Sequence, residues 1–116
     1  MSEVNGKYAP RPGNIPGVAL NIGGIDFVLA PLGLRLAREI EARGMALRSR
    51  DDVTPEEAHA FNLEIILLSL HRNYPEITAD ELDELLDTAV EAEAVSAVLL
   101  GTGLKRVTPG ELKPGS

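Results

Sequence analysis

The sequence predicts an α+β fold that is mainly helical, with an N-terminal antiparallel β-hairpin packed on a three-helix arrangement. Three observations carry this reading. Two short apolar runs flank Gly23-Gly24, a helical period of apolar residues begins at Leu32, and two capping boxes open at Thr54 and Thr78. Each element follows from local chemistry.

Val18-Ala-Leu-Asn-Ile22 and Ile25-Asp-Phe-Val-Leu29 are joined by two glycines. Glycine supplies the positive φ angles that a two-residue hairpin turn demands. Closing the turn at Gly23 and Gly24 pairs Ile22 with Ile25, Leu20 with Phe27 and Val18 with Leu29 on one face, and Asn21 with Asp26 on the other. A hairpin with one large apolar face is marginal alone, so helices must cover it.

A first helix is expected over about residues 32–48. Leu32, Leu36, Ile40 and Leu47 line its core side, Arg35, Arg38, Glu39 and Arg43 its outer side, and Gly44 ends or interrupts it. Thr54-Pro55-Glu56-Glu57 is a capping box with proline at the first helical position. The helix it opens, about 55–72, is apolar nearly all round through Ala58, Phe61, Leu63, Ile65, Ile66, Leu67, Leu68 and Leu70, which makes it the central buried one. Pro75 stops it by disfavouring helical geometry at Tyr74. Thr78 and Glu81 form the second box, with Ile77 and Leu82 as a hydrophobic staple. A single last helix over about 79–100 then sets Leu82, Leu85, Leu86, Ala89, Val90, Ala97 and Leu100 near one stripe, with Gly101 as its stop.

Residues 17–101 read as one folded domain. Pro10, Pro12 and Pro16, interleaved with Gly13 and Gly17, mark residues 1–16 as a flexible arm, and residues 102–116 repeat that chemistry as a flexible tail. No apolar region follows a basic start and no apolar run is long enough to span a bilayer, so the reading is a soluble, cytoplasmic chain.

At 116 residues the chain is long enough for one core, and with aromatics at 3% and no Trp that core is built of Leu, Ile, Val and Ala. The net charge of −7 argues against a partner that is nucleic acid or anionic membrane. This charge is lopsided: residues 1–50 balance at +3 and residues 51–116 at −10. Between Arg72 and Lys105 there is no Lys or Arg, while Glu76, Asp80, Glu81, Asp83, Glu84, Asp87, Glu91 and Glu93 fall there.

The search for chemistry returns little. The acidic run lacks the spacing of a calcium loop, and a capped helix points its carboxylates in different directions, so no metal is expected. With no cysteine, and with His59 and His71 more than three turns apart on one helix, neither a nucleophilic triad nor a shared metal has members. His71 suits the C-terminal end of its helix, where a cation is favoured. Neither glycine cluster is a phosphate loop. The expectation is a protein that is not an enzyme and has no cofactor. Binding remains: Arg35, Arg38 and Arg43 on one side and Asp80, Asp83, Glu84, Asp87 and Glu91 on the other are the candidate partner or oligomer contacts. They either neutralise each other within one molecule or join protomers head to tail.

The segment Leu68-Ser-Leu-His-Arg-Asn-Tyr-Pro-Glu-Ile-Thr-Ala-Asp-Glu-Leu-Asp-Glu-Leu-Leu-Asp87, preceded by Ile22-Gly-Gly-Ile-Asp-Phe-Val-Leu-Ala-Pro-Leu32, resembles the tail assembly chaperones of long-tailed bacteriophages and prophages. The resemblance spans about residues 18–101 and rests on short structural motifs, with Gly23, Gly24, Asn73, Tyr74, Pro75, Thr78 and Glu81 at their centre. It implies no catalytic site. It implies a protein of the host cytoplasm, absent from the finished virion, that self-associates, binds the helix-rich tape-measure protein, keeps it soluble and recruits tail-tube subunits. Within that family the tail Thr108–Ser116 would suit a linker to a longer, frameshifted form, and Arg72-Asn73-Tyr74-Pro75 would fix an interhelical turn, with Asn73 as a left-handed cap. Two other readings stay open: a structural tail or head-completion protein retained in the virion, and an acidic inhibitor or DNA mimic built on the carboxylates from Glu76 to Glu93.

Overall fold

The computed structural model describes residues 15–103. It shows an antiparallel two-stranded hairpin, β1 (Val18–Ile22) and β2 (Ile25–Leu29), followed by four helices: α1 (Leu34–Arg48), α2 (Pro55–His71), α3 (Ala79–Leu85) and α4 (Thr88–Thr102). The fold is mainly α with a small β part, as expected. Nearly all of the flexible arm and tail expected at the two ends lies outside the described residues.

The hairpin register is the one that the turn dictates, with Ile22 opposite Ile25, Leu20 opposite Phe27 and Val18 opposite Leu29. Both turn glycines have positive φ, 61° at Gly23 and 88° at Gly24, values suited to the primed turns that match strand twist. Ile22, Ile25, Phe27 and Leu29 are buried, and they join Ile65, Ile66 and Leu70 of α2 and Ala94, Val95 and Val98 of α4 in one core.

Both capping boxes form. Thr54 and Thr78 accept from the amides of Glu57 and Glu81, at 3.1 Å in each case, and both glutamates reach back to the threonine amides. Ile77 and Leu82, the expected staple, are buried together in the core.

Three expectations are corrected. The single last helix is two helices, because Leu86 and Asp87 are extended and Asp87 caps α4 by accepting from the Val90 amide at 2.9 Å. The break rotates the stripe, so that Ala94, Val95 and Val98 face the core while Leu100 is 61% exposed. In the first helix Leu32 precedes the helical start, Leu36 turns outward, and the buried positions are Ala37, Ile40 and Gly44. Gly44 neither ends nor interrupts α1. It sits mid-helix and buried, where a Cβ would lie 3.6 Å from the Phe61 ring, an ordinary contact distance that the packing of α2 could accommodate.

Candidate interaction surfaces

Arg72-Asn73-Tyr74-Pro75, the expected interhelical turn, lies in a segment, residues 69–77, that also docks the hairpin. Ser69 donates to the Ala30 carbonyl at 2.6 Å, and the Arg72 guanidinium donates to the Pro31 carbonyl. Tyr74 Oη accepts from the Val28 amide at 2.8 Å, and its ring meets Phe27 edge to face at 5.1 Å. The fully buried Asn73 accepts from the Ile15 amide at 2.6 Å and donates to the Ile15 carbonyl at 2.8 Å. Asn73 is therefore not a left-handed cap, since among the described residues only glycines have positive φ. Its side chain instead reads the backbone of Ile15, which anchors the last residues of the expected arm. His71 closes the turn by donating from Nε2 to the Ile77 carbonyl at 2.7 Å. From α4, Thr102 accepts from the Leu32 amide at 2.9 Å, so the first residue of the expected tail is anchored too. Pro75 is exposed and lies inside a turn closed by the Ile77 amide donating to the Tyr74 carbonyl at 3.3 Å.

Two charged clusters lie on the surface. In the first, His59 on α2 sits between Asp83 of α3, 2.6 Å from Nε2, and Glu91 of α4, 2.7 Å from Nδ1. Asn62 donates to the other oxygen of Glu91 at 2.9 Å. A ring with a carboxylate on each nitrogen is satisfied only when both nitrogens carry protons. These bonds to Asp83 and Glu91 accordingly raise the His59 pKa above its ordinary value against a modest desolvation. The cluster ties three helices at the joint where α3 gives way to α4.

The second cluster lies between α1 and α2. Arg43 makes a two-pronged contact with Glu64, at 2.9 and 2.6 Å, with its guanidinium 5.2 Å from the Phe61 ring centre. Seven residues further on, just past the end of α1, Arg50 grips Glu57 at 3.1 Å with both prongs and Asp52 at 3.0 Å. These guanidinium bonds hold the carboxyls of Glu64, Glu57 and Asp52 below their usual range. Between the two forks, Ala46, Leu47, Ala60 and Phe61 floor a groove of about 360 Å³.

The eight candidate contacts thus have different fates. Arg43 is spent on Glu64, and Asp83 and Glu91 converge on His59. Asp87 is a helix cap. Arg35, Arg38, Asp80 and Glu84 are exposed and form no ion pair with a described residue. Pairing within the protomer is partial: Arg43 and Arg50 of the basic half meet Glu64, Glu57 and Asp52 of the acidic half, and among the described residues no ion pair joins Arg35, Arg38 or Arg43 to Asp80, Asp83, Glu84, Asp87 or Glu91. The carboxylate row is also split over two helices at Leu86 and Asp87.

The His59 cluster and the α1–α2 groove were missed in the sequence. No spacing rule could find them, because His59 meets partners 24 and 32 residues away and Arg43 meets Glu64 across 21. Among the described residues no group of three His, Asp or Glu side chains is arranged to hold a metal, and no helix is long and apolar enough to cross a membrane. Compared with protein-family models, curated proteins and solved structures, the chain matches none of them.

Proposed function

We propose that this chain is a tail assembly chaperone of a long-tailed bacteriophage or prophage, a binding protein without chemistry of its own. It acts in the host cytoplasm on the tape-measure protein, keeps that helix-rich client soluble, helps to recruit tail-tube subunits, and leaves before the virion is complete. The reading starts from the resemblance of Ile22–Leu32 and Leu68–Asp87 to that family.

The observation that supports it is the groove between α1 and α2. Its apolar floor of Ala46, Leu47, Ala60 and Phe61 suits the apolar stripe of an amphipathic helix, and the Arg43–Glu64 and Arg50–Glu57 forks offer both signs of charge along its rim. The forks are already paired, so binding a helix there strips no lone charge of water.

Co-expression with a fragment of the tape-measure protein tests this. The full chain should bring the fragment into the soluble fraction and co-purify with it. Ala60→Arg, which fills the groove from an exposed position, should abolish both while leaving the melting temperature within a few degrees. A fragment that stays insoluble beside the wild-type chain would overturn the reading.

A further inference from the structure

A two-stranded sheet has two outer edges, and here they are treated differently. In a hairpin closed by two residues, the pairs Ile22/Ile25, Leu20/Phe27 and Val18/Leu29 exchange the ladder bonds, so the backbone groups of Ala19 and Asn21 point away on β1, and those of Asp26 and Val28 on β2. On β2 the Val28 amide is taken by Tyr74. On β1 no described residue bonds the outward amides and carbonyls of Ala19 and Asn21.

Nothing in β1 guards that edge. Val-Ala-Leu-Asn-Ile has no charge, no proline and no bulge, which are the usual devices against strand addition. Burial also falls away toward it. Phe27 and Leu29 on β2 are 1% exposed, whereas their cross-strand partners on β1 are half-buried Leu20 and exposed Val18. The α4 helix continues the same opening. It carries only Glu91 and Glu93 as charges, and its exposed Leu100 precedes Gly101, whose Cβ position lies 3.7 Å from Val18.

We infer that a second copy of this chain covers this edge, β1 against β1 about a two-fold axis, making one four-stranded sheet across a dimer. With Leu20 opposite its own copy, Ala19 faces Asn21 of the other protomer on both sides of the axis. All four outward amides and carbonyls are then paired, and Val18 meets Ile22 on the apolar face. The strand suits a copy of itself because the same residues supply donors and acceptors in an antiparallel match. Its five residues give a seam of about 17 Å. A seam this short, with Val18 and Leu100 as the apolar side chains beside it, is a modest contact where a standard stable interface buries ~800 Å² per partner. The dimer is accordingly one that forms with concentration rather than a permanent one.

This inference goes beyond the client-binding reading and does not depend on it, since the α1–α2 groove and the β1 edge share no residue. The test is sedimentation of the full chain over a concentration series, with amide exchange measured at both ends. Ala19 and Asn21 amides should exchange more slowly as dimer forms, while Asp26, outward on the other strand, should not change. Ala19→Pro removes an outward donor that the hairpin itself does not use, and should raise the dissociation constant about tenfold or more. A chain that is monomeric throughout, or a dimer whose Ala19 and Asn21 amides are not protected, overturns the proposal. So does protection that is complete at every concentration, which would assign the edge to this chain's own N-terminal residues.

Discussion

Replacing Asn73 by alanine isolates the contact that joins the turn after α2 to the chain entering the hairpin. Its side chain makes two bonds to one residue, accepting from the Ile15 amide and donating to the Ile15 carbonyl. Two such bonds contribute about 1 kcal/mol each, and half-buried Ile15 groups left to find water or go unpaired add about 1 kcal/mol more, so the expected loss is roughly 3 kcal/mol. For a domain of this size that lowers the melting temperature by roughly 12–24 °C. Urea unfolding followed by circular dichroism measures the loss directly. A chain starting at Gly17 completes a cycle, because it removes Ile15 and leaves Asn73 buried without its partner. There Asn73→Ala should cost less than about 1 kcal/mol, the two changes acting through one contact. An equal cost in both backgrounds would refute the argument, since it would mean that Asn73 stabilises the turn without reference to Ile15.

Two further outcomes follow from the geometry. His59 has a folded-state pKa above its ordinary 6.5, so its imidazolium contributes stability that is full below about pH 6.5 and is lost as pH rises through the higher folded value. Urea midpoints of the wild type should therefore fall over that window relative to those of His59→Gln. The gap should be about 1 kcal/mol or less, because the ring is 41% exposed; parallel profiles would show that the cluster does not hold a proton. In the hairpin turn, Gly23→Ala combines a positive φ with a Cβ only 2.7 Å from Leu85, while Gly24→Ala has a positive φ and open space. The first should cost roughly 2–4 kcal/mol and the second about 1–2. Equal urea midpoints would count against the packing of Leu85 on the turn.

The elements that were legible in the sequence are those whose causes are local. Two glycines between apolar runs fix the hairpin and its register, and Thr54 with Glu57 and Thr78 with Glu81 fix two helix starts, because every partner lies within a few residues. The break between α3 and α4 also has a local cause in Asp87, but a lone aspartate inside a continuing apolar period is a weak sign. Outside a boxed motif, the same residue would serve equally on an exposed helix face. Gly44 misleads for a related reason. Glycine ends helices by its backbone freedom, yet here it continues the helix and is buried facing Phe61, a residue 17 positions on.

The surface shows the same boundary between local and distant causes, and its consequence for partners is concrete. Counting charges gave an excess of acid after residue 51, but counting cannot say which charges are available. The structure removes Arg43, Arg50, Asp83 and Glu91 from that pool by pairing them within the protomer, and uses Asp87 as a cap. What is left without an ion pair among the described residues includes Arg35 and Arg38 on α1 and Asp80 and Glu84 on α3. Charges this exposed steer an encounter more than they hold a complex. If the proposed client and second copy bind, their affinity is then expected from apolar surface and unpaired backbone, at the α1–α2 groove and along the β1 edge, both of them nearly free of net charge.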